Sequence, residues 1–252
     1  MSSNKSWYLK CKAENIADKV VLVGDPARVQ LFASQMDDSE VVAQEREFTT
    51  LTGIYKKTPL SVISIGIGAP SAAIVMEELW ELGVKVVVRA GTAIALNVPV
   101  GTFILANGGI RYEGTSPTYL PIEYPAVCDP ELLFAYREMM SKENAHHATG
   151  LLATSDGFYT HLFEHTLSRR MQSERPSTLL KQFTQHGVLG ADMETSAVYT
   201  VGYYLGLKVL SVLIATVDGK NNTMLETSLR KEKEKELASL VLKGLDHYAQ
   251  SN

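Results

Sequence analysis

Cysteine is scarce in this chain. Cys11 and Cys128 are its only two and lie far apart in the sequence, which excludes a disulfide-stapled scaffold and fits a reducing, cytoplasmic setting. Long apolar runs are missing too. The longest are strand-length and the opening MSSNKSWYLK is polar, so neither a membrane span nor a secretory signal is expected. Nor is there an excess of positive charge. With 24 basic and 28 acidic residues the net charge is -4, which attracts neither nucleic acid nor an anionic membrane, so any anionic ligand must be caught by a local group of arginines. Hydrophobic residues make up 45% and charged residues 21% of the chain, a balance that rules out disorder and fibrous architectures. Its 252 residues suit one α/β domain over 1–252, with a core large enough to need no staple.

Several chemical signatures are also missing. Gly66-Ile67-Gly68 lacks the third glycine of a dinucleotide fingerprint, and the first strand runs into Gly24-Asp25-Pro26 instead. There is no Walker A loop, no G-x-S-x-G elbow and no C-x-x-C pair. No metal and no redox cofactor is expected.

What is present alternates between strand and helix. Val20–Val23 is a β-branched run ending at Gly24-Asp25-Pro26, where Pro26 suits the first turn of a helix through Phe32. Extended segments follow near Val41–Ala43, Phe48–Tyr55 and Leu60–Ile65, with a hairpin turn at Lys56-Lys57-Thr58-Pro59. Ala72, Val75, Met76, Leu79 and Leu82 keep helical spacing. Val84–Val88 reads as a strand buried on both faces that ends in Arg89-Ala90-Gly91-Thr92. Further strands are expected at Gly101–Ala106, His147–Ala153 and Lys208–Thr216. Helices are expected at Pro130–Ser141, within His161–His186, at Asp192–Leu205 and from about Thr227. This pattern predicts a three-layer α/β/α fold, with a central mixed, largely parallel sheet and a ligand site along the carboxyl ends of its strands. The Lys/Glu-rich stretch Arg230–Glu236 reads as a solvated helix face with i,i+4 ion pairs.

Polar residues collect at the expected strand ends: Gly24, Arg28, Arg46, Arg89, Gly91, Thr92, Met193, Glu194 and Asp218. Arginine forks set against backbone amides and a hydroxyl are what phosphate or another small oxyanion requires. Each residue also has a plainer reading. Gly24 could be an ordinary turn glycine, Arg28 and Arg89 partners in structural ion pairs, and Arg46 an exposed strand-edge residue. Glu194 could be a first-turn carboxylate, Asp192 a helix N-cap and Phe158 a core aromatic.

The segments GDPARV, QEREFTTLTG, SIGIGAPSAAIVMEEL, VVRAGTA, GTSPTYLPIEYPAV, SDGFY and GADMETSAV, running in this order from about Tyr8 to Asp218, resemble the nucleoside phosphorylase superfamily of purine nucleoside and uridine phosphorylases. The resemblance implies phosphorolysis of a ribonucleoside by inorganic phosphate as co-substrate, with no cofactor. It implies phosphate ligands at Gly24, Arg28, Arg89, Gly91 and Thr92, and a further one at Arg46 that serves a neighbouring subunit. Ribose would then be held by Met193, Glu194 and Tyr8, and the base by Phe158 and Asp218. Tyr8 stands where the family has a histidine directed at the neighbour's ribose. A homo-oligomer of dimers that share active sites, in hexameric form, follows.

On the base, the resemblance divides. Asp218 in VDG stands where purine enzymes hold an acid for N7, and the Gln-x-Arg by which uridine enzymes read uracil after the FY pair is replaced by Thr160-His161-Leu162-Phe163-Glu164. These features favour inosine, guanosine or adenosine, with Asp218 and Glu194 as the catalytic pair. REFTT and PIEYPAV look more like the uridine enzymes, which keeps uridine phosphorylase as the alternative. A nucleosidase of the same fold and a non-catalytic nucleoside-binding protein are further readings.

Overall fold

The computed structural model describes residues 5–162 and 175–251. An 11-stranded mixed sheet is covered by helices on both faces. The strands are β1 (Lys19–Val23), β2 (Asp38–Glu45), β3 (Phe48–Tyr55), β4 (Thr58–Ser64), β5 (Val86–Ala95), β6 (Phe103–Tyr112), β7 (Ala126–Val127), β8 (His147–Ser155), β9 (Gly190–Asp192), β10 (Lys208–Asp218) and β11 (Thr223–Met224). The helices are α1 (Pro26–Ala33), α2 (Ala69–Glu81), α3 (Pro130–Lys142), α4 (Arg175–Gln185), α5 (Thr195–Leu205) and α6 (Thr227–Ser251). The expected three layers are present.

β1 shows why. Its side chains alternate, with Val20 and Leu22 packing into the layer that holds Met76 and Leu79 of α2 and Val198 and Val201 of α5. Val21 and Val23 pack into the opposite layer, against Val29 and Phe32 of α1, Leu132 and Tyr136 of α3, and Val241 and Leu245 of α6. A strand buried on both faces must be apolar at every position, and KVVLV is apolar after its first residue. Asp25 caps α1 by accepting from the Ala27 N–H at 2.9 Å, with Pro26 at the first helical position.

In one half of the sheet β1 pairs in parallel with β4 and β5, and β3 and β2 continue it antiparallel to the edge. The other half closes on itself. β5 pairs in parallel with β10, β10 antiparallel with β6, β6 in parallel with β8, and β8 in parallel with the short β9, which returns antiparallel to β5. The closing strand β9 was not expected from the sequence, because three residues are too few to show a period. Two other boundaries differ. β5 runs through Arg89-Ala90-Gly91-Thr92 to Ala95, because β10 supports it along its whole length. The segment around His161 forms a single π-helical turn at Phe158–Leu162. The rest of the expected His161–His186 helix lies outside the described residues as far as 174, and α4 follows. Among the described residues no helix is long and apolar enough to cross a membrane.

Candidate active site

A cleft of about 750 Å³ opens where β1, β5 and β10 end and where β9 turns into α5, and α1 and α6 also border it. Gly24, Arg28, Arg89, Gly91, Thr92, Phe158, Met193 and Glu194 all line it. These residues are scattered from 24 to 194 in the sequence, and parallel pairing of β1, β5 and β10 brings their ends together.

The floor is a buried charge cluster. Arg89 lies at the centre of β5, only 6% exposed. Its Nη1 is 3.0 Å from Asp192 Oδ2, and its Nη2 donates to Glu194 Oε2. Glu194 Oε1 accepts from the Gly68 N–H at 2.6 Å. Asp192 also accepts from the Thr154 hydroxyl at 2.8 Å and from the Thr195 N–H at 3.1 Å; the N-cap position of α5 is Glu194 rather than Asp192, and Asp192 serves the first N–H of the helix and Arg89 as a counter-ion. Thr154 Oγ1 in turn accepts from the Ser196 N–H at 2.9 Å, and the Ser196 hydroxyl donates to buried Glu113 at 3.0 Å. The two carboxylates of the cluster are held by hydrogen bonds as well as by Arg89, which helps buried charge to be tolerated, while Arg89 Nη1 meets Asp192 as an ion pair without a hydrogen bond.

Burial pushes the Glu194 carboxyl above its ordinary range, against the pull of Arg89. Burial alone would lower Arg89, but Glu194 and Asp192 hold it above its ordinary value. Arg89 therefore remains a cation, with N–H donors beyond those spent on the two carboxylates.

Two glycines serve space rather than turn geometry. A Cβ on Gly91 would lie 2.6 Å from Arg89 Nη1, so glycine there lets the guanidinium lie against the strand. A Cβ on Gly24 would meet only Gly66 O, at 3.4 Å, and Gly24 is not among the glycines in the left-handed region. Neither its backbone nor its neighbours demand glycine, and the space it leaves opens into the cleft.

Arg28 is 14% exposed and donates through Nη2 to Glu234 Oε1 at 2.9 Å; Arg230 Nε donates to the same oxygen at 3.0 Å. Glu234 is itself 14% exposed and Arg230 lines the cleft, so one side of the stretch turns toward the site, while Lys231, Glu232 and Lys235 keep the expected solvated face. Its i,i+4 pair does form, but facing inward. Thr216 is another lining residue missed from the sequence. The β5–β10 register shifts between Ala215 and Val217, leaving Thr216 as the extra residue of a bulge, a device that re-aims a side chain and leaves no trace in sequence periodicity.

Three expected site residues lie elsewhere. Tyr8 and Arg46 are not among the residues lining the chain's own cleft. They stand together, the Arg46 guanidinium carbon 5.8 Å from the centre of the Tyr8 ring. Glu78 holds the Tyr8 segment by accepting from the N–H groups of Tyr8 and Leu9 at 2.6 and 2.8 Å. Asp218 also falls outside the cleft lining. Its carboxylate accepts from the Lys220 N–H at 2.8 Å, the Asn221 N–H at 3.2 Å and Asn221 Nδ2 at 2.8 Å, closing the turn between β10 and β11. The Lys220 N–H, followed by the Asn221 side chain, holds it below its ordinary range, because these donors favour the anion.

A cleft at the carboxyl ends of parallel strands, floored by a buried arginine and two carboxylates, stands where an open α/β sheet carries its ligand site. The chain belongs to the Phosphorylase superfamily, whose family model matches residues 18–245. Among curated relatives it is 36% identical to a uridine phosphorylase of Thermococcus kodakarensis over 204 residues, covering 80% of this chain and 73% of that one. It is 33% identical to a guanosine phosphorylase of Halorubrum lacusprofundi over 217 residues, covering 85% and 83%. The crystal structure of uridine phosphorylase from Vibrio fischeri superposes with a TM-score of 0.86 at 30% identity, over 97% of this chain and 98% of that one.

Proposed function

We propose that this nucleoside phosphorylase acts on uridine, splitting it with inorganic phosphate into ribose 1-phosphate and uracil. The disposition of the acids carries the choice of base. A purine leaving through N7 is best served by a proton donor. Of the acids lining the cleft, Asp25 caps α1, while Asp192 and Glu194 hold Arg89. Asp218, the residue matched to the purine enzymes' acid, is an anion engaged in a turn. Uracil departs as an anion stabilised by its own carbonyls and does not need that donor. The uridine phosphorylases among the relatives support the same choice, and the purine preference drawn from VDG gives way to it.

Phosphate is held among Gly24, Arg28, Arg89, Gly91 and Thr92, and Glu194 accepts from the ribose hydroxyls while Met193 packs on the sugar and Phe158 on the base. One phosphate oxygen attacks C1′ as the bond to the base breaks and its electron pair leaves with uracil. Barrier lowering comes from positioning and from cations set beside the dianion. Arg46 and Tyr8 complete the site of a neighbouring subunit. Their support is that they stand together outside their own cleft, and that Arg46 holds a φ of +53°, a conformation an arginine adopts at a cost.

The test is base release from uridine, inosine, guanosine and adenosine, each with and without phosphate. Phosphate-dependent cleavage, fastest for uridine, is expected. Faster cleavage of a purine nucleoside would restore the purine reading, and equal rates without phosphate would make the protein a nucleosidase.

A further inference from the structure

Arg230 has no counterpart among the phosphate ligands that the sequence resemblance supplies, yet it lines the same cleft as Arg28, Arg89 and the amides of Gly24 and Gly91. It reaches this position from one turn inside α6, where its N–H bonds to Glu226 O at 2.8 Å. It is tied to Arg28 through a single atom, because Glu234 Oε1 accepts from Arg28 Nη2 at 2.9 Å and from Arg230 Nε at 3.0 Å. Two guanidinium groups around one carboxylate carry a net charge of +1. An ion pair would have neutralised Arg28 and weakened it as an anion ligand; the second arginine restores the missing charge. The bond to Glu234 uses Arg230 Nε, which leaves the two terminal nitrogens of its fork, the geometry that matches two oxygens of a phosphate.

We propose that Arg230 is a phosphate-binding residue of this site, set beside Arg28 by their shared bond to Glu234. The assignment rests on the phosphorolytic reading. It makes α6 part of the active site and gives each subunit three arginines of its own around the co-substrate, Arg28, Arg89 and Arg230.

The test titrates inorganic phosphate into the intact protein by calorimetry and measures phosphate and uridine KM for wild type, Arg230→Gln and Arg230→Lys. Arg230 is partly exposed, its side chain 38% accessible, so both variants are expected to fold, which circular dichroism checks. Loss of a partly screened charge-assisted contact predicts phosphate affinity about tenfold weaker in Arg230→Gln. Arg230→Lys should fall between the two, and uridine KM should stay within about twofold of wild type, as expected for loss of a contact confined to the co-substrate. Equal phosphate affinity in wild type and Arg230→Gln overturns the assignment and leaves phosphorolysis standing. A change confined to uridine KM also overturns it. Base release by wild type without phosphate, together with no phosphate binding, removes the phosphorolytic reading and the role of Arg230 with it.

Discussion

Arg46 and Tyr8 meet across the chain's surface, the guanidinium carbon 5.8 Å from the ring centre, and neither lines the cleft of its own subunit. A cation over an aromatic face is attracted by the ring quadrupole, and Glu78 holds the Tyr8 backbone N–H. In the proposed function this pair serves the site of another copy of the chain.

Mixing inactive Arg46→Ala chains with inactive Glu194→Ala chains, after dissociation and reassembly, is therefore expected to restore activity. In an isologous dimer of the two variants, one site is intact and the other carries both lesions, so random pairing yields about a quarter of wild-type activity. No recovery in oligomers shown to be mixed would place Arg46 outside any shared site.

Arg89→Ala is expected to damage stability as well as catalysis. Arg89 is ion-paired with both Asp192 and Glu194 in a buried setting, and removing one member of such a group leaves uncompensated charge at a cost of about 3 to 5 kcal/mol. Urea unfolding should show this loss, together with a raised phosphate KM. A variant of wild-type stability would mean that the two carboxylates are relieved by protonation or by water.

Much of this architecture was legible in the sequence, for identifiable reasons. β1 could be read because a strand buried on both faces is apolar throughout, and α1 because Asp25 and Pro26 carry their own capping and first-turn chemistry. Gly24, Arg28, Arg89, Gly91, Thr92, Met193 and Glu194 could be read as a group because the segments containing them resemble a family. What escaped depends on contacts between distant segments. Glu234 meets Arg28 across more than two hundred positions, so Arg230 and Glu234 looked like one more surface pair. The surroundings of Asp218 escaped for a related reason: a strand pattern says nothing of the turn that follows it, which supplies three donors to the carboxylate.

The pH dependence of kcat/KM should report Glu194. In the proposed function its ionised form accepts from ribose, and burial raises its pKa in the folded protein above the usual 4.5. Activity should therefore fall with decreasing pH through a midpoint above that of an ordinary glutamate. Stability follows the opposite sign. The folded state binds this proton more tightly than the unfolded chain, so the Glu194 contribution to stability is greatest below the unfolded pKa and declines as pH rises through the folded one. An acid limb at or below 4.5 would show that ligand or Arg89 outweighs burial.

Asp218→Asn separates the two base classes. The carboxylate of Asp218 is held below the ordinary aspartate range, first by the Lys220 N–H and then by the Asn221 side chain. At neutral pH it has no proton to give. Asparagine retains a carbonyl oxygen able to accept from the same turn, so the β10–β11 connection should survive the change. Uridine cleavage is then expected to stay within about threefold of wild type, far short of the 10² or more that accompanies loss of a working general acid. Inosine serves as the control. A loss of about a hundredfold on inosine with uridine unaffected would mean that the turn opens when a purine binds and that Asp218 reaches the base, which would make the protein a purine enzyme after all. Equal, small effects on both nucleosides would leave Asp218 as the closure of a turn and the leaving base to its own carbonyls.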